Sequence, residues 1–81
     1  MEGNFAKKGF VNSIRKYAAK KSAEGKTVLK ESSVLGAVRQ RQRDKTITKT
    51  QIKMAIHWMK ERGEIVRTKV DGESAIEIVA Q

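Results

Sequence analysis

Between positions 49 and 57 the chain sets Lys49, Thr50, Gln51, Lys53, Met54 and His57 at helical spacing. These residue types can recognise the edges of base pairs. A glutamine can bond adenine through two hydrogen bonds, a lysine can reach guanine O6 or N7, and threonine or methionine can touch the thymine methyl. No carboxylate is fixed beside His57 by sequence, so it reads as a contact residue. Two further groups could meet phosphate. Arg67 and Lys69 flank Asp71-Gly72, and Arg39, Arg41 and Arg43 alternate with Gln40 and Gln42. Spaced by two on a helix, those arginines fan over about 200°, so some face phosphate and others water.

Each group has a plainer alternative. Any exposed helical face in a basic protein carries such side chains, cations on an edge strand discourage aggregation, and a charge run is often a solvated face. Other chemistries are poorly served. The chain has no cysteine and a single histidine, which removes zinc fingers, iron–sulfur clusters and thiol catalysis. Glu24, Glu31, Asp44, Glu61 and Glu64 are scattered, and no glycine-rich phosphate loop or serine–histidine pair is placed. No enzyme, metal, cofactor or small-molecule ligand is expected.

The elements that must position these residues fit one domain over 1–81. A chain of 81 residues buries only about 60 to 65% of the surface its unfolded form exposes. No apolar run reaches membrane-spanning length and no signal-peptide core opens the sequence, so a protein of the cytoplasm is expected, nucleoid-associated or nuclear according to the host. Eighteen Lys or Arg against nine Asp or Glu give a net charge of +9. A domain this basic repels itself and calls for a polyanionic partner.

Residues 1–8 form a lead-in with little periodicity, in which Phe5 lies off the stripe that follows. Phe10, Val11, Ile14, Tyr17 and Ala18 then fall within about 120° of one another, an apolar helical face. Glu24 and Gly25 end that helix. Thr27, Val28 and Leu29 make a brief strand. Ser32 or Ser33 is placed to cap a second helix with Val34, Leu35 and Val38 on its apolar face. Asp44 to Thr46 reads as a turn. Thr48 and Gln51 have capping-box spacing, and Ile47 with Ile52 the placement of a hydrophobic staple. A third helix therefore runs to Arg62, with Ile52, Ala55, Ile56 and Met59 inward and Gly63 as its stop. Trp58 lies about 100° off that stripe and reads as half-buried packing, with a dimer interface as the alternative. Two strands close the chain, 64–70 and 73–80. A two-residue loop would set Val66 opposite Glu77, so the sequence favours a three-residue loop with Gly72 left-handed.

The fold class is thus α+β, mainly α: three helices, a short strand between helices one and two, and a C-terminal two-stranded hairpin. The stretch from Thr48 to Arg67, T-K-T-Q-I-K-M-A-I-H-W-M-K-E-R-G-E-I-V-R, resembles the winged helix-turn-helix superfamily. The shared features are a polar helix start, the apolar pair Ala55-Ile56, then Met59, then Arg62-Gly63, then Ile65 opening the wing. The likeness covers roughly residues 10 to 80 and identifies no single family. The length of helix two, with its arginine-rich end, departs from the compact form. The resemblance implies double-stranded DNA as partner. Helix three would enter the major groove through its N-terminal half, and the wing would lie on the backbone or in the minor groove. The implied roles are a small transcriptional regulator, a replication or partition factor, or a chromatin component. So small a reader would need a homodimer or cooperative assembly for selectivity.

RNA or ribosome binding is the alternative, but A-form major grooves exclude a helix and the chain has only four aromatic residues. The winged helices that bind left-handed DNA are similar in outline, yet their wing carries a proline pair and a tryptophan that this one lacks. A protein-interaction winged helix has no need of +9. The charge is also uneven. Residues 1–45 hold twelve cations and four anions, a net +8, while residues 46–81 hold six and five, a net +1.

Overall fold

A computed structural model describes residues 8–79. Its elements follow in the order α1 (Lys8–Ala23), β1 (Val28–Lys30), α2 (Glu31–Gln42), α3 (Lys49–Glu61), β2 (Ile65–Val70) and β3 (Glu73–Ile78). The expected order of helices and strands is present, in a small, mostly helical α+β fold. The lead-in and Phe5 lie outside the described residues, except that Lys8 already opens α1. Ala80, expected at the end of the last strand, lies outside them too.

Each helix stops by the same device. An amide two or three residues past the helix bonds back to the carbonyl five residues earlier: Lys26 to Lys21 at 2.8 Å, Asp44 to Arg39 at 3.0 Å, and Glu64 to Met59 at 3.0 Å. That geometry needs a left-handed residue just before the returning amide. Gly25 (φ 84) and Gly63 (φ 78) supply it for α1 and α3, whereas Arg43 (φ 55) supplies it for α2. The start of α3 is the capping box expected from sequence. Gln51 N–H donates to Thr48 Oγ1 at 3.2 Å, and Thr48 N–H donates to Gln51 Oε1 at 2.8 Å. Ile47 and Ile52 are both buried beside it, as a staple requires.

The start of α2 corrects the sequence reading. Neither Ser32 nor Ser33 is its cap. The helix begins at Glu31, and Lys30 precedes it with no side-chain capping bond. Ser32 lies inside the first turn, where its amide (3.4 Å) and its hydroxyl both donate to the Glu73 carboxylate. The orphaned amide is satisfied from the far end of the chain, by a partner that local spacing does not reveal.

The three strands form one antiparallel sheet in the order β1-β3-β2. Val70 pairs with Glu73, so the loop is the two residues Asp71-Gly72 and not three. Both have positive φ, 54° and 81°, the turn whose twist matches a hairpin. Val66 does face Glu77, the pairing that had counted against this register. It costs little because that pair lies on the solvent side: Val66 is 46% exposed, and the buried residue of β2 is Ile65. Ile65, paired with Ile78, and Ile76, paired with Leu29, turn the other face of the sheet inward.

Three helical stripes close over that face. Phe10, Val11, Ile14 and Ala18 from α1 meet Val34 and Val38 from α2 and Ile52, Ala55, Ile56 and Met59 from α3. Side-chain bonds fix the joints between elements. Gln42 Nε2 donates to Ser13 Oγ at 2.8 Å and to the Gly9 carbonyl at 3.2 Å, fastening the end of α2 to α1. Arg15 grips Glu64 through two bonds of 2.8 and 2.7 Å, fastening α1 to the entry of β2.

Candidate nucleic-acid interface

The apolar stripe of α3 is turned inward, so the helix presents Thr50, Lys53 and His57 to solvent with Met54 half-buried beside them. These four, with Trp58 and Glu61, form one wall of a shallow groove, and Arg67 of β2 borders it from the hairpin. Four of the six base-edge candidates and one cation of the hairpin thus share one groove, and Lys49 and Gln51 lie outside it. Glu61 tempers the field at the far end, 3.9 Å from His57 Nε2 and 3.7 Å from Lys60 Nζ. Lys53 stands clear of that acid.

Trp58 is half-buried against the core, as its angular position suggested. Two guanidinium groups lie over its ring, Arg62 at 4.7 Å and Arg15 at 5.8 Å from the ring centroid. Arg62 also lies 3.6 Å from Glu64. The Arg15 hydrogen bond, opposed by partial desolvation and aided by the charges of Arg15 and Arg62, holds the Glu64 carboxyl below its usual range. The rear of α3 is therefore a stacked, ion-paired joint.

Several of the expected contact residues already have structural partners. Gln51 has its carbonyl oxygen engaged by the Thr48 amide, leaving only its NH2 group to meet a base. Arg39 Nε donates to the Ile47 carbonyl at 2.8 Å, bracing the turn between α2 and α3. Arg67 Nη2 donates to Glu31 Oε2 at 3.1 Å. Glu31 is only 3% exposed, and its second oxygen has no hydrogen-bond partner. That buried carboxylate is the residue sequence reasoning missed. The available signal was an acid directly after a brief strand and just before an apolar helical stripe, a place where a helix start favours negative charge.

Lys69 is exposed and directly opposite Ser74, on the same face of β2 as Arg67. At the hairpin tip Asp71 lies 3.8 Å from Lys30. The hydrogen bonds from Ser32, against a desolvation cost and with the charges of Lys30 and Lys49, hold Glu73 below the usual carboxylate range. Arg41 and Arg43 are exposed at the end of α2. Arg41 lies against α1, away from the α3 groove.

Among the described residues no group of His, Cys, Asp or Glu is placed to hold a metal ion, and no helix is long and apolar enough to cross a membrane. No protein-family model, no curated protein and no solved structure matches the chain.

Proposed function

We propose that this is a winged-helix protein that binds double-stranded DNA, with α3 in the major groove and the β2–β3 hairpin as the wing on the backbone or in the minor groove. One observation carries the reading: the polar face of α3 and Arg67 of the hairpin border a single groove. A helix can enter the major groove of B-DNA while a neighbouring hairpin follows the strand beside it. Thr50, Lys53, Met54 and His57 would meet base edges. Lys49 and Lys69 would meet phosphate. Gln51 would take part through its amide NH2 alone, and Arg67 through the part of its guanidinium that Glu31 leaves free. The roles that fit are a small transcriptional regulator, a replication or partition factor, or a chromatin component, at the nucleoid or in a nucleus.

Fluorescence anisotropy against a panel of duplexes tests this. Affinity should fall steeply with salt, log K declining linearly with log salt by roughly 0.9 for each phosphate contact. Replacing Lys53 by glutamine should flatten the preference among sequences. Replacing Lys69 by glutamine should weaken all duplexes alike and reduce the salt slope by about 1. A salt-independent affinity, or equal losses on every duplex from both substitutions, would show that α3 is not the reader.

A further inference from the structure

The α3 groove leaves most of the positive charge unused. Residues 46–81 carry a net +1, and the remaining +8 belongs to residues 1–45. Part of that excess is gathered in one place. Lys16, Lys20 and Lys21 of α1 and Arg41 of α2 line a groove between the two helices. Gln40 borders this groove and also a second one, on the far flank of α2, where Arg43 and Lys45 stand. The two grooves thus meet at Gln40 of α2. No carboxylate lines either of them. Every residue of the α3 groove comes from α3 or β2, and neither element contributes to the α1–α2 surface.

The charges on this surface are exposed and mutually repulsive. Lys16, Lys20 and Arg41 all face solvent, and Lys16 and Lys20 stand four apart on one helix, a spacing at which like charges destabilise it. Lys21 has some relief from Glu24 at 3.6 Å and from the Tyr17 ring at 5.7 Å. A row of phosphates would remove the repulsion and release counterions.

We propose that the α1–α2 surface binds the phosphate backbone of a second DNA duplex, so that one molecule holds two duplexes together. The proposal rests on the DNA-binding reading above and adds a second, sequence-independent face to it. Lysine and arginine heads in a shallow groove neutralise phosphates without reading bases.

A bridging assay decides the matter. Duplex fixed on beads is incubated with protein and a second, labelled duplex, and capture of the label is measured. Anisotropy on a single short duplex and sedimentation of the free protein run alongside. The variant combines Lys16→Gln, Lys20→Gln and Arg41→Gln, all at exposed positions. Its capture should drop by about tenfold or more, and the salt slope of capture should become shallower by roughly 2.7 for the three lost contacts. Short-duplex affinity should stay within about threefold of wild type, because the α3 contacts are untouched. Capture that persists in the variant would overturn the proposal, since paired copies would then be the bridge. Loss of short-duplex affinity in step with capture would also overturn it, by showing one duplex spread over both surfaces. Wild-type protein that binds duplex without capturing a second removes this proposal alone. Wild-type protein that binds no duplex removes the DNA-binding reading as well.

Discussion

Arg43 holds left-handed backbone, φ 55, at the position where α1 and α3 place glycine. A side chain there meets the following carbonyl, a strain of about 1 kcal/mol. Replacing Arg43 by glycine should therefore raise the unfolding free energy by up to about 1 kcal/mol, the relieved strain less the chain entropy that glycine adds to the unfolded state, measured by urea denaturation. A loss of stability would show that the arginine side chain supports the α2 terminus. Arg67 behaves in the opposite way. It neutralises Glu31, whose carboxylate is buried with one oxygen already unpartnered. Arg67→Ala should cost about 1–3 kcal/mol of stability by leaving that carboxylate alone. Removing both charges together, with Glu31→Gln in the same chain, should recover part of the loss. Both tests expose a limit of local reading. The sequence shows that Arg67 and Arg39 are cations near expected contact surfaces. Their partners, Glu31 and the Ile47 carbonyl, stand 36 and 8 positions away and become visible only in three dimensions. Gln51 was legible as the capping partner of Thr48, and its carbonyl oxygen is engaged there.

The helices differ in how locally their ends are determined. The start of α3 is closed by residues three apart, so its boundary was readable from spacing alone. Thr48→Ala should destabilise the protein by about 1 kcal/mol, and amide exchange near Lys49 to Gln51 should accelerate more than exchange in α1. Uniform acceleration would mean that the cap supports the whole core and not this end in particular. The start of α2 was misread because its amide is satisfied by Glu73, 41 positions later. The hairpin register was misread for a different reason. Weighing Val66 against Glu77 presumed that the apolar member had to face inward. In fact β2 has only one deeply buried position, Ile65, and Arg67 and Lys69 continue along the same face toward open groove. Alternation identifies which residues share a face, but not which face is covered.

For the molecule as a whole, the Arg15–Glu64 pair ties the first helix to the hairpin and makes stability depend on acid. The Glu64 carboxyl is held low in the folded protein, chiefly by the Arg15 hydrogen bond. The unfolded chain therefore takes up its proton first as pH falls. The stabilisation is complete above the ordinary glutamate range and disappears as pH drops through the depressed folded value. Replacing Glu64 by glutamine should lower stability at neutral pH and shrink the loss seen on acidification. An acid limb identical to that of the wild type, followed by urea midpoints across pH, would assign the sensitivity to other carboxylates such as Glu73, which is held low in the same direction. The sheet order carries another consequence. β3 lies between β1 and β2, although it is the last of the three to be synthesised. When the ribosome has made β1 and α3, β1 still lacks β3, its partner strand among the described residues, and the amide of Ser32 still lacks Glu73. The core face formed by Leu29 and Ile76 is completed only after β3 has been made. A nascent chain halted at the hairpin tip would be helical but unsealed, and the last strand would lock it.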